Sequence, residues 1–236
     1  MSFSKSALVV LAASLTFTAV SAHADSFTTG GVYSGSVPGN SSAGELTFSF
    51  DGSTESGGGG NFTGSTGVVN GKPVAFTDVF CVDLLDQITT STTYNATYST
   101  SGVINGKTVN NAGEIAWLIS NLAPSATTQA ENEGLQAAIW EVEYGSSFSL
   151  ILQDNSSAID SAYASDLTAL GSKTAAVNSV LWVSPENSNG SNSQGQVIYD
   201  PSTTSPVPEP GTLCLFGTGL LGLSGLVRHR FSRSVA

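Results

Sequence analysis

The chain has 236 residues and a formal net charge of −11, from 7 Lys and Arg against 18 Asp and Glu. Four of the basic residues, Lys5, Arg228, Arg230 and Arg233, lie near the ends, so only Lys72, Lys107 and Lys173 remain between them. That acidic middle excludes nucleic acid and anionic lipid headgroups as electrostatic partners. His23 and His229 also sit at the ends, which leaves no histidine for a catalytic triad or a zinc site.

From the N-terminus, Lys5 precedes an apolar run from Ala7 to Val20, followed by Ala22-His23-Ala24. A basic start, an apolar stretch and small residues at −3 and −1 read as a secretory signal peptide over 1–24. Cleavage is expected after Ala24, with Ala22 as the alternative. From Ser26 to Thr77 the pattern alternates and is punctuated by glycine, as in Glu45-Leu-Thr-Phe-Ser-Phe, which predicts short half-buried strands. Glycines 57 to 60 read as a flexible loop. Asn70-Gly71 and Asn105-Gly106, each flanked by apolar residues, predict two hairpins with two-residue turns. Residues 95–100 are another strand candidate.

Helical spacing begins after Asn111. Ile115, Leu118, Ile119 and Leu122 share one face, and Pro124 closes that segment. Thr128-Gln-Ala-Glu131 is a capping box that opens a second helix running to about Tyr144, before Gly145. A third helix is expected from Ser156 to Leu170, with strands returning around 175–183 and 196–199. The fold class is therefore α+β: a β-barrel or sandwich with a central helical insertion. The segment 190–206 reads as a polar linker, which leaves 25–189 as the folded ectodomain.

At the C-terminus, Pro208-Glu209-Pro210 is followed by an uncharged stretch, 211–227, and then by Arg228, Arg230 and Arg233. As a helix, that stretch would rise roughly 25 Å, just enough for a short transmembrane segment with its arginines on the cytoplasmic side. This order resembles the PEP-CTERM sorting tail, here 207–236. The resemblance implies recognition by an exosortase-type membrane transpeptidase, transient anchoring in the inner membrane, and delivery to the cell surface or to an extracellular polysaccharide matrix. It marks destination and not activity.

The only cysteines are Cys81 and Cys214, and the second lies within the membrane stretch. The exported domain thus holds one odd cysteine in an oxidising compartment. It occurs in Phe80-Cys81-Val82-Asp83, and Leu135-Gln136-Ala137-Ala138-Ile139-Trp140 follows in the second helix. Together these resemble the cysteine and glutamine motifs of bacterial thioester domains, although Leu135 stands where those domains usually carry threonine. The resemblance implies that Cys81 Sγ and Gln136 Cδ join as an intramolecular thioester, releasing ammonia. It also implies that a surface or matrix macromolecule bearing an amine or hydroxyl is the covalent partner. Phe80 and Trp140 are the apolar residues expected to shield the bond from water. Read without the resemblance, Cys81 is a buried small residue and Gln136 an exposed helix glutamine beside a core Ile-Trp pair, in a non-covalent structural or glycan-binding matrix protein. No cofactor or metal site is expected. Asp51-Gly-Ser-Thr-Glu55 lacks calcium-loop spacing, and Glu131, Glu133, Glu141 and Glu143 read as solvated helix charge. The chain is therefore not expected to be an enzyme.

Overall fold

Turn-forming Asn and Gly residues divide the first half of the chain into strands, and the 3/4 apolar spacing of the second half winds it into helices. A computed structural model describes residues 25–32, 45–151 and 156–199. The expected signal peptide at 1–24 and the sorting tail at 207–236, with its membrane stretch, lie outside the described residues. Among the described residues, no helix is long and apolar enough to cross a membrane.

In chain order, the first strands are β1 Ser26–Thr28, β2 Gly31–Val32, β3 Glu45–Phe50, β4 Ser53–Gly58, β5 Phe62–Thr63, β6 Thr66–Val69 and β7 Lys72–Ala75. Then come β8 Asp78–Cys81, β9 Thr93–Ser99, β10 Val103–Ile104 and β11 Lys107–Thr108. Helix α1 spans Ala112–Asn121 and α2 spans Gln129–Tyr144; β12 Phe148–Leu150, α3 Ser157–Leu170, β13 Leu181–Glu186 and β14 Gln196–Tyr199 complete the order. Both Asn-Gly turns form as expected. Asn70 and Gly71 join β6 to β7, Asn105 and Gly106 join β10 to β11, and all four residues have positive φ.

The main sheet is antiparallel and seven-stranded, in the order β7-β6-β1-β9-β13-β14-β8. Its order is open among the described residues, with β7 and β8 at the two ends. A three-stranded sheet, β12-β3-β4, packs beside it. The expectation of a mixed helix-and-strand protein is met by this curled sheet and three helices. Gln196–Tyr199, inside the stretch expected to be linker, forms β14 between β13 and β8. The strand expected at 175–183 starts later, at Leu181, because a short 3-10 turn occupies Val177–Ser179.

The β13-β14-β8 end of the sheet is covered on both faces. Phe80, Val82, Trp182 and Val197 belong to a cluster built on α1, with Ile115, Leu118 and Ile119. Val79, Cys81, Val183 and Ile198 belong to a second cluster, with Leu46, Phe48 and Phe148. Covering both faces explains why Val79-Phe-Cys-Val82 is an unbroken apolar run. Helix α2 contributes Leu135 and Ile139 to the first cluster, and Ala137 and Trp140 to the second. It therefore lies along the free edge of β8, one flank in each core. Burying each of its large side chains contributes roughly 2 kcal/mol.

Candidate functional site

An edge strand presents unpaired backbone N–H and C=O groups, and once these are buried each needs a partner. β14 pairs with β8 on one side only. On the other side, two side-chain carboxamides take the place of a further strand. The Val79 N–H donates to Asn61 Oδ1 at 3.0 Å, while Asn61 Nδ2 donates to the Thr77 carbonyl at 3.3 Å and Asp78 Oδ1 at 3.1 Å. Two residues further on, the Cys81 N–H donates to Gln136 Oε1 at 2.9 Å, and Gln136 Nε2 donates to the Cys81 carbonyl at 2.6 Å. Cys81 and Gln136 are both wholly buried, at 0% exposure. The two residues singled out by sequence are thus brought together, carboxamide against main chain.

Helix α2 is held so that this contact persists. At its start the capping box closes: Glu131 N–H donates to Thr128 Oγ1 at 3.2 Å, and Thr128 N–H to Glu131 Oε2 at 2.9 Å. At its end, Tyr144 Oη accepts from the Leu84 N–H at 2.9 Å, which ties the helix to the segment just after the cysteine. Between these points Gly134 lets α3 approach, since a Cβ there would stand 2.6 Å from Ala162 Cβ. Gly59 does the same beside Gln136. A Cβ on Gly59 would meet Leu46 Cδ1 at 2.7 Å and Gln136 Cγ at 3.1 Å. Glycines 57 to 60 are therefore not the flexible loop expected. Gly57 and Gly58 pair with β3, and Gly59 and Gly60 are buried against α2, where absence of a side chain is what permits the close approach.

On the sulfur side, the Cys81 thiol donates to Gln194 Oε1 at 3.1 Å, and Gln196 Nε2 donates to Sγ at 3.4 Å. Gln194 Nε2 in turn donates to the Asp83 carbonyl at 2.6 Å. Burial pushes the thiol up to about 12; the Gln196 hydrogen bond works against that rise, and the nearby Asp83 charge adds to it. The thiol is therefore protonated at neutral pH. Asp83 is itself raised, chiefly by burial.

Of the two expected shielding residues, Trp140 is buried one helical turn beyond Gln136, where its ring packs 5.4 Å from Phe48 and 6.0 Å from Phe148. Phe80 is buried in the other cluster, because strand alternation turns it to the opposite face of β8 from Cys81. The groups on the sulfur are instead Gln194 and Gln196, neither of which sequence reasoning singled out. Asn61 and Gly59 were missed as well. Their only sequence signal is position in a polar, glycine-rich stretch.

Residues 206–230 match the family described as the PEP-CTERM protein-sorting motif. The motif implies an exported protein, sorted by an exosortase system and transiently associated with the membrane during sorting. It covers Pro208, Glu209, Pro210, Arg228 and Arg230, all outside the described residues. No curated protein and no solved structure matches the chain.

Proposed function

We propose that the chain is an exported surface or matrix protein whose ectodomain carries an internal thioester between Cys81 and Gln136, for covalent attachment to a partner macromolecule bearing an amine or hydroxyl. The observation that carries this reading is the paired hydrogen bonding of the Gln136 carboxamide to the main chain of Cys81 in a fully buried site. An amide is a poor acyl donor, so contact alone is not enough. The carbonyl must be polarised and the geometry fixed. The Cys81 N–H donating to Gln136 Oε1 supplies the first; the capped helix and Gly59 supply the second.

In the reaction, Sγ bonds to Gln136 Cδ, the Cδ–Nε2 bond breaks, and the thiol proton leaves on that nitrogen as ammonia. Oε1 survives in the thioester and still accepts from the Cys81 N–H. A partner amine or hydroxyl then attacks Cδ, its proton passes to sulfur, and the partner remains joined to residue 136 as an amide or ester. The protein is consumed in this step, so it acts as a single-use linker and not as an enzyme. Delivery by the exosortase-type transpeptidase, with the PEP-CTERM tail as that enzyme's substrate, places such a linker at the cell surface or in the surrounding matrix.

A second reading has its own support. The same two hydrogen bonds satisfy the edge of β8 without any covalent step, which suits a non-covalent matrix protein. Methylamine treatment of the purified chain separates the two. The thioester reading expects one methylamine on residue 136, mapped by peptide mass, with the Cys81 thiol released in equal amount. A chain that takes up no methylamine and titrates Cys81 as a free thiol after unfolding belongs to the second reading.

A further inference from the structure

The side chains of Gln194 and Gln196 take no part in capping the free edge of β8, yet both end on the sulfur. Gln196 is wholly buried, and its Nε2 also donates to the Gln194 carbonyl at 3.0 Å, which fixes the amide with its NH2 towards Sγ. Its Oε1 is then left buried with no partner. A buried acceptor without a partner destabilises the fold, so stability alone does not account for this arrangement. Gln194 is fixed in the same manner, its Nε2 on the Asp83 carbonyl and its Oε1 receiving the thiol proton. The sulfur therefore has one donor and one acceptor, each tied to main chain.

Resting on the thioester reading, we infer that Gln194 and Gln196 are positioning residues for the sulfur, one holding the thiol proton and the other stabilising negative charge on Sγ as the acyl bond forms and opens. In a fully buried site with no histidine or lysine beside the cysteine among the described residues, a thiolate has little else to stabilise it, which agrees with the thiol's raised protonation range. With the S–H engaged by Gln194, the sulfur lone pairs are left for Gln196 and for Gln136 Cδ. On formation, Sγ gains Cδ and loses its proton to the departing ammonia. On opening, Sγ leaves as the group that Gln196 Nε2 already contacts and regains a proton from the attacking nucleophile. Gln196 thus assists both directions through one hydrogen bond, and Gln194 sets the orientation of the resting thiol.

The test uses the full chain with Cys214→Ala, so that Cys81 is the sole thiol. In a Gln136→Ala background, where no thioester can form, the Raman S–H stretch reports the thiol directly. Gln194→Met is expected to move that band to the frequency of a thiol without an acceptor, and Gln194→Glu, which keeps an oxygen, to restore it. With Gln136 present, Gln196→Met is expected to slow methylamine opening by about tenfold, the loss of one hydrogen bond to a charged group. An S–H band indifferent to Gln194, or an opening rate unchanged in Gln196→Met, overturns the assignment. A parent chain that never loses ammonia overturns the thioester reading itself, and the positioning role of both glutamines with it. The Raman arm does not depend on that outcome, so the two failures are distinguishable.

Discussion

Two side-chain carboxamides cap the same edge of β8, two residues apart, beside side chains of different kinds. Asn61 caps Val79, whose side chain is inert; Gln136 caps Cys81, whose side chain is a nucleophile. Each amide accepts from a backbone N–H and returns a donor to a nearby oxygen. Edge capping thus explains an amide at either place and cannot by itself distinguish a structural glutamine from a reactive one. What distinguishes them is chemistry at the neighbouring sulfur, so the informative experiments are those in which the two caps behave differently.

Gln136→Ala is the largest perturbation. It strips both backbone partners from Cys81 and leaves a cavity, at a cost of about 3 kcal/mol or more in denaturant unfolding, and it removes any ammonia deficit from the intact mass. Asn61→Ala should cost about 1–3 kcal/mol for the unpaired Val79 N–H and leave the mass signature intact. If both variants merely destabilise, with no covalent signature in the parent, the two caps are equivalent and the comparison collapses. Gly59→Ala sharpens it. The added methyl pushes on Leu46 and Gln136, so about 1–2 kcal/mol of stability and a slower rate of ammonia loss are expected, while the Asn61 cap keeps its geometry.

The smallest effect is one of pH. Cys81 is raised from 9.0 to about 12 in the folded chain, so the folded state keeps its proton after the unfolded state has lost it. The thiol's contribution is therefore fully present below pH 9 and is lost as pH rises from 9 towards 12. Only a free thiol titrates. Gln136→Ala should accordingly lose stability across that window, and the thioester form, with nothing at sulfur to ionise, should lose less. Matched slopes in the two proteins would mean that the parent carries a free thiol.

Much of this site was legible in the sequence, and the reason is local. The Thr128–Glu131 capping box fixes where α2 begins, which places Gln136 two turns in; the Asn-Gly pairs fix two hairpins; and an odd cysteine in an exported chain marks itself. The partners of the sulfur were not legible. Gln194 and Gln196 lie 113 and 115 positions from Cys81, in a stretch so rich in Asn, Ser and Gly that it reads as linker. Only the β14–β8 register brings them to the thiol, and that register follows from the burial of Val197 and Ile198 on opposite faces, a long-range fact. Phe80 lies in the other cluster from Cys81 for a related reason. Adjacency in a strand sends neighbouring side chains to opposite faces, so the residue next to the cysteine in sequence is the one turned away from it.

The most direct measurement is the intact mass of the full chain, purified without nucleophilic buffers and beside its Cys81→Ala and Gln136→Ala variants. A parent lighter than its sequence by one ammonia, with both variants at full mass for their own sequences, is the predicted result. A freshly purified parent at full sequence mass, with residue 136 still glutamine and not the glutamate that a hydrolysed thioester leaves behind, would contradict it.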